Sequence, residues 1–225
     1  MASPVTVIFF ADADTPKLYE SKYRKWCRHW PRLAELPTQV ICDAATDVDA
    51  EEWREKFFFL ERVPKIVLWD WRDFFNTEPT IDEKIQHTTI SCGGFTSRTP
   101  YYFMLHPSLQ TERAGGFPET AWIDMDDPPM VICNRTEMTV DDKNYAALEA
   151  WAADAPGFDE FPSVDQAMVK AFDIGIIRTN FARVLSIVTK NNYPVGRSDF
   201  LLYYAALRRG EKIKLVDSSE MGILE

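Results

Sequence analysis

The chain has 225 residues, of which 25 are basic and 35 acidic, so its formal net charge at pH 7 is −10. Hydrophobic residues make up 46% of the sequence, which excludes an intrinsically disordered chain and supports one large domain. No apolar run approaches the roughly 20 residues that a membrane-spanning helix needs, and the start does not resemble a signal peptide. The four cysteines form no C-x-x-C pair, which disfavours a structural zinc site and predicts reduced thiols in a cytoplasm.

The negative charge is concentrated in one segment. Residues 112–174 carry 14 acidic and 4 basic side chains, and the remainder of the chain is neutral. A uniform charge of −10 would argue against a nucleic-acid partner. Because one face of the first predicted helix is basic, the distribution leaves a polyanionic partner open.

The first 70 residues alternate three strands with two helices. The predicted strands are residues 5–10 (VTVIFF), 38–42 (TQVIC) and 65–69 (KIVLW), and the predicted helices are residues 17–30 and 49–60. Continuous apolar runs are typical of strands that are buried on both faces. The alternation therefore predicts an α/β fold with a mostly parallel central sheet flanked by helices.

The remainder of the chain also contains both predicted strands and predicted helices. A helix over residues 79–91 is predicted to end at the Cys92-Gly93-Gly94 turn. The last helix is predicted to have Ser198 as its N-cap and Gly210 as its C-cap. The other predicted elements are strands over 101–105, 130–133, 174–177 and 212–216, and helices over 141–154, 180–189 and 198–209.

Candidate ligand-binding residues lie where each of the first three predicted strands ends. In parallel sheets, ligands bind beyond these carboxyl ends. The residues concerned are Phe10, Ala11 and Asp12, then Asp43, then Asp70, Trp71 and Arg72. Lys84 and Arg98 are alternative phosphate contacts, each of which has a plain surface charge as its simpler interpretation. His106, which follows strand 101–105, is a candidate for the same edge.

Three short motifs carry acidic residues. Asp124 and Asp126 flank one residue, so both carboxylates can reach one hard divalent cation. Asp199 lies in the first turn of a helix, where the helix dipole favours a carboxylate that can act as a base. The Asp12-Ala13-Asp14-Thr15 sequence partly matches the D-x-D-x-T pattern of haloacid-dehalogenase phosphatases, with its threonine one residue early.

The order of these parts resembles that of a GT-A glycosyltransferase. The resemblance rests on the opening strand with Phe10, Ala11 and Asp12, on Asp43 after the second strand, on a D-x-D motif, and on the late segment GRSDFLLYYAALRRGEKIKLV with its Asp199. It implies a single domain over residues 1–225, with a nucleotide-binding half over 1–110 and an acceptor and catalytic half over 111–225.

The same resemblance implies the ligands. The donor would be a nucleotide sugar, such as UDP-glucose, and Mn²⁺ or Mg²⁺ would bind its diphosphate through Asp124 and Asp126. A second register places the degenerate metal motif at His106 and Ser108, directly after strand 101–105, and that register would make the enzyme metal-independent. Asp199 would be the catalytic residue: the base that deprotonates the acceptor if the enzyme inverts, or the residue that positions the donor sugar if it retains.

The pattern is also similar to small bacteriophage glycosyltransferases, some of which modify hydroxymethylated DNA bases. The resemblance therefore predicts a glycosyltransferase of the hexosyltransferase type, with modified DNA as one candidate acceptor. Two alternatives stay open. One is a non-catalytic binding protein on a decayed GT-A frame, and the other is a phosphatase with Asp12 as its nucleophile.

Overall fold

The computed structural model describes residues 5–105, 127–133, 138–172, 174–190 and 192–216. Within these ranges seven strands form one sheet. They are β1 (Val5–Ala11), β2 (Thr38–Asp43), β3 (Lys65–Trp69), β4 (Tyr101–Leu105), β5 (Met130–Cys133), β6 (Ile174–Arg178) and β7 (Lys214–Val216).

The order of strands in the sheet is β3-β2-β1-β4-β6-β5-β7. The β1–β2, β2–β3, β1–β4 and β5–β7 pairs are parallel, and β6 runs antiparallel to both β4 and β5. The predicted α/β class with a mostly parallel central sheet is therefore confirmed. We call the edge where β1 to β4 end the carboxyl edge, and the opposite edge the amino edge. Because β6 is reversed, its first residue, Ile174, lies at the carboxyl edge.

Seven α-helices flank the sheet in the described ranges. They are α1 (Thr15–His29), α2 (Ala50–Lys56), α3 (Ile81–His87), α4 (Gly93–Thr96), α5 (Asp142–Asp154), α6 (Thr179–Thr189) and α7 (Ser198–Arg208). None of the helices in this part of the chain combines the length and apolarity that crossing a membrane would require.

Strand β1 is buried along its whole length and divides the core into two layers. Phe9 faces the layer under α1 and α2, where Tyr19 and Trp53 are fully buried. Phe10 faces the layer under α5 to α7 and meets the ring of Trp71 edge-on, with centroids 5.6 Å apart. A continuous apolar run is required because both faces of this strand are covered.

The opposite side of α1 is exposed and basic. Four exposed cations on this side of α1 form no ion pair with a carboxylate among the described residues: Lys17, Arg24, Lys25 and Arg28. Arg32, in the short turn that follows the helix, is also exposed. The first helix therefore presents a positive surface on a chain that is negative as a whole.

The helix over residues 79–91 does not end at its glycine pair, so this part of the prediction is wrong. After α3, residues Thr88–Cys92 form a π-helical segment that continues directly into α4. A Cβ at Gly94 would lie 2.6 Å from the backbone nitrogen of Arg183, and one at Gly93 would lie 2.5 Å from the ring of Tyr102. These glycines allow close packing on α6 and β4 and do not turn the chain.

The predicted cap of α7 is also wrong. Ser198 is the first residue of the helix, and Arg197, at the N-cap position, makes no capping side-chain bond. The start of α7 is held instead by an ion pair between Arg197 and Asp199. At the other end Gly210 has a φ of +66°, which agrees with its predicted role as the terminating residue.

A buried polar cluster joins α5 to α7. The guanidinium of Arg208, which is 7% exposed, donates to Glu149 at 3.0 Å and to the hydroxyl of Tyr204 at 3.2 Å. Tyr204 and Ser163 each donate to Glu149, both at 2.7 Å. The buried charge of Arg208 is thus neutralised by one carboxylate that has several partners.

Candidate functional site

The acidic residues predicted to follow β1, β2 and β3 all lie at the carboxyl edge. Asp43 is the last residue of β2 and pairs in register with Trp69, the last residue of β3, while Asp12 and Asp70 directly follow β1 and β3. The side chain of Phe10, in contrast, is buried in the core, as is Ala11. Only the backbone of β1 can therefore serve the predicted contact with a ligand.

Asp12 closes the turn that leads into α1. Its Oδ1 accepts the backbone N–H of Thr15 at 3.0 Å and that of Asp14 at 3.2 Å, and the Thr15 hydroxyl accepts the N–H of Asp12 at 2.8 Å. Oδ1 of Asp12 thus has a structural role in the turn between β1 and α1. A phosphatase with Asp12 as its nucleophile stays a prediction from the sequence motif alone.

Lys84 on α3 joins two carboxylates beyond β2. Its Nζ lies 3.1 Å from Oδ2 of Asp43 and 3.1 Å from Oε1 of Glu78, and 5.7 Å from the ring centre of Trp71. Burial alone would lower the pKa of Lys84, but hydrogen bonds to the two carboxylates outweigh that effect and raise it. A charged ammonium group is therefore held at the carboxyl edge, with an exposure of only 11%.

Arg72 and Asp70 form a second pair at this edge. The guanidinium donates from Nε to Oδ1 at 2.9 Å and from Nη2 to Oδ2 at 2.7 Å. Hydrogen bonds from Arg72 hold the pKa of Asp70 below its usual value. The pair is exposed, so Arg72 is accessible to an anionic ligand.

Arg98, the other predicted phosphate contact, does not lie at the carboxyl edge, because Thr99 beside it forms a hydrogen bond with Thr6 at the amino edge.

Asp199 is buried near the carboxyl edge and is held by three donors. Arg197 donates to Oδ1 at 3.0 Å and to Oδ2 at 2.5 Å, and the backbone N–H of Phe172 donates to Oδ2 at 3.3 Å. Phe172 precedes β6, which begins at this edge. A carboxylate has about four lone-pair sites, so three donors leave one that can take a proton from an acceptor hydroxyl. Arg197 competes for this carboxylate, so removal of Arg197 tests the proposed catalytic role of Asp199.

One further bond brings the start of α7 against α3. Gln86, two residues after Lys84, is buried and donates to the carbonyl of Val195 at 2.6 Å. Arg197 and Asp199 follow Val195 by two and four residues. The structure thus places the Lys84 pair and the Asp199 pair on the same side of the sheet.

Four predicted site residues, His106, Ser108, Asp124 and Asp126, lie outside the described residues. Their nearest described neighbours are at opposite edges. Leu105 is the end of β4 at the carboxyl edge. Asp127 is at the amino edge, because it accepts from the Tyr101 hydroxyl at 2.8 Å, at the start of β4, and from Arg178 at 3.1 Å, at the end of β6.

The described carboxylates of the carboxyl edge do not fit a divalent cation. Asp43, Asp70 and Asp199 are each paired with a lysine or an arginine. Across the part of the chain that the structure describes, no three His, Cys, Asp or Glu side chains come together as a metal site.

Sequence reasoning missed an aromatic cluster around His87, the last residue of α3. The ring is fully buried and its Nε2 accepts the indole N–H of Trp69 at 3.2 Å. Phe74 stacks on Trp69 with centroids 5.3 Å apart, and Phe75 and Tyr193 complete the enclosure. Burial lowers the pKa of His87 to about 4. In the sequence, the only signal for this cluster was the position of His87 one turn after Lys84 on a predicted helix.

Comparison with known proteins identifies the fold. No protein-family model and no curated protein sequence matches the chain. Among solved structures, core-mannan synthase A from Aspergillus fumigatus in an Mn/GDP form is similar over 97% of this chain and 73% of its own, with a TM-score of 0.63 and 9% identity. The mannosyltransferase Ktr4p from S. cerevisiae is similar over 97% and 69%, with a TM-score of 0.61 and 8% identity.

A third similar structure is the galactosyltransferase LgtC, in complex with donor and acceptor sugar analogues. The similarity covers 95% of this chain and 73% of that one, with a TM-score of 0.56 and 10% identity. The chain thus has the GT-A type of α/β fold that these nucleotide-sugar glycosyltransferases share.

Proposed function

We propose that the protein is a nucleotide-sugar-dependent glycosyltransferase of the hexosyltransferase type. The observation that carries the proposal is the buried Lys84–Asp43 pair at the carboxyl edge of a sheet with GT-A topology. Ligands of open α/β sheets bind at this edge. A fixed carboxylate beside a fixed ammonium group offers one group for a base or ribose and another for a phosphate.

The donor is proposed to be a UDP-sugar such as UDP-glucose. Asp43 would accept hydrogen bonds from the base or ribose, and the backbone after Phe10 would line the same pocket. Lys84 and Arg72 would contact the diphosphate, because both cations lie beyond β2 and β3. Asp12 and Asp70, each of which accepts backbone N–H bonds from its own turn, would line the same pocket.

Mn²⁺ or Mg²⁺ is proposed to bind at the donor site, where it would neutralise charge on the diphosphate. Its ligands would be Asp124 and Asp126. If the motif lies at His106 and Ser108 instead, the enzyme would be metal-independent. The second register is supported by the described neighbours, because β4 ends at the carboxyl edge whereas Asp127 contacts the amino edge.

The acceptor is proposed to be a hydroxyl group on a polyanion, such as a hydroxymethylated base in DNA. Support comes from the basic face of α1, whose four exposed cations have no carboxylate partner among the described residues. Helix α1 begins at Thr15, three residues after Asp12, so this face starts near the donor pocket. Clustered Lys and Arg side chains on one helix face attract phosphate backbones.

Donor binding is the first test. Saturating UDP or a UDP-sugar is expected to raise the melting temperature by about 5 °C, because a ligand at 100 times its Kd adds about 2.7 kcal/mol of stability. Uridine without phosphate serves as the control and is expected to give little shift. Scanning fluorimetry with Mn²⁺ and with EDTA measures the effect of a cation. The absence of a shift with any nucleoside diphosphate would contradict the proposal.

The role of Asp199 is the second test. Asp199→Asn is expected to reduce hexose transfer at least about 100-fold while UDP affinity stays within about twofold, because the base is lost and the donor pocket is retained. Arg197→Met is the matched variant, since it removes the partner and leaves the carboxylate. Mass spectrometry of hexose added to hydroxymethylated DNA measures transfer.

The two variants separate the alternatives. If Asp199 is the catalytic base, Arg197→Met is expected to keep hexose transfer. If the Arg197–Asp199 ion pair only holds the start of α7, both variants are expected to lose transfer to the same extent. A wild-type protein that binds UDP but transfers no sugar to any acceptor in a broad panel would favour the non-catalytic alternative.

A further inference from the structure

The two carboxylates on Lys84 differ in how firmly they are held. Asp43 is 14% exposed, and its Oδ1 also accepts the backbone N–H of Ala45 at 2.8 Å. Glu78 is 73% exposed, and Lys84 is its only hydrogen-bond partner among the described residues. Exposed ion pairs contribute little because water screens them. Asp43 is therefore the fixed partner of Lys84, and Glu78 is a replaceable one.

The segment that carries Glu78 lies outside the helix that holds Lys84. Residues 76–80 form no helix or strand, and α3 begins just after them at a capping box between Thr80 and Glu83. Thr80 receives the N–H of Glu83, and Glu83 accepts the N–H of Thr80 at 2.7 Å. The helix start is thus fixed independently of Glu78.

The local charge disfavours an anion as long as Glu78 is present. Asp43, Asp70 and Glu78 outnumber the cations Lys84 and Arg72, and Arg72 is itself under the electrostatic influence of both Asp43 and Glu78. Loss of Glu78 removes one of these carboxylates and reduces the local excess of negative charge. A diphosphate is strongly anionic. Its binding is therefore favoured by the departure of Glu78, which frees the ammonium group of Lys84 and removes a repelling carboxylate.

We propose that Glu78 occupies the anion position on Lys84 when no donor is bound, and that the diphosphate of the nucleotide donor displaces it. This inference rests on the proposed function, because it takes the donor pocket to lie at the carboxyl edge. Glu78 is then a residue that tunes donor affinity, and Lys84 exchanges one anion for another without losing its charge.

The affinity for UDP in Glu78→Gln tests the inference. Isothermal titration at low salt is expected to show about five- to tenfold tighter UDP binding than in the wild type, because a competing carboxylate is removed. The control is Asp82→Asn, which removes an exposed carboxylate of α3 that makes no ion pair with Lys84. Its UDP affinity is expected to stay within about twofold of the wild type. Uridine is expected to bind all three proteins equally.

Each other outcome decides a separate point. Unchanged or weaker UDP binding in Glu78→Gln, with normal binding by the wild type, overturns the displacement and leaves the proposed function standing. Equal gains in Glu78→Gln and Asp82→Asn overturn it in favour of a general charge effect. No nucleotide binding by the wild type or by either variant overturns the proposed function together with the inference.

Discussion

Replacing Glu149 with glutamine is expected to lower the free energy of unfolding by about 3 kcal/mol, since it leaves the buried Arg208 without a counter-charge. Arg208 is 7% exposed and lies between α5 and α7. Burial would raise the pKa of Glu149, but hydrogen bonds from Tyr204 and Ser163 and the charge of Arg208 outweigh it and lower the pKa. The carboxylate thus contributes stability above the unfolded pKa, so the measurement belongs at pH 7.

Glu51→Gln is the matched control in a urea titration. Glu51 also pairs with an arginine, Arg54, but the two side chains are 73% and 39% exposed. An exposed pair of this kind contributes at most about 1 kcal/mol. Equal losses of stability in the two variants would show that burial of Arg208 does not set the effect.

Lowering the pH from 6.5 to 4 is expected to cost about 3 kcal/mol of stability through His87 alone. The folded-state pKa of about 4 lies below the unfolded value of about 6.5, so the unfolded chain binds the proton more readily throughout this interval. The stability that the neutral ring contributes is complete above pH 6.5 and declines as the pH falls. The groups that enclose it, Trp69, Phe74, Phe75 and Tyr193, carry no charge in this range.

His87→Gln isolates this contribution. Glutamine can still accept the indole N–H of Trp69 but does not titrate. The free energy of unfolding is therefore expected to fall less steeply in the variant between pH 6.5 and 4, by about 3 kcal/mol in total. Chemical denaturation at a series of pH values measures the two slopes. Parallel curves for the variant and the wild type would mean that protonation of His87 does not destabilise the fold.

The strands were predictable from the sequence because burial on both faces requires continuous apolar runs. VTVIFF and YYFML appear as β1 and β4 almost to the residue. The reversal of β6 was not predictable, because strand direction depends on where the chain returns to the sheet. Gly93 and Gly94 were misread for a related reason. A turn and a close helix contact both select glycine, and only the position of Arg183 separates them.

The acidic residues of the carboxyl edge were predictable as a set, whereas their pairing was not. Asp43 and Lys84 are 41 residues apart in sequence and meet only because α3 packs beside β2. Asp199 was correctly located in the first turn of α7, but nothing in the Gly196-Arg197-Ser198 sequence indicates that Arg197 turns back onto it. Local patterns predict elements, and contacts between distant elements decide which charges remain accessible.

The π-helical segment between α3 and α4 has a consequence for how this site tolerates insertions and deletions. Each residue of an α-helix advances about 100° around the axis, and a π-helical turn accommodates one residue more than an α-helical turn. Deleting one residue from Thr88–Cys92 would rotate α3 by about that angle relative to α4. One continuous α-helix could preserve either the contact of Gly94 with the Arg183 backbone or the ion pair between Lys84 and Asp43. It could not preserve both. The extra residue therefore sets the register between the packing end of this helix and its charged end.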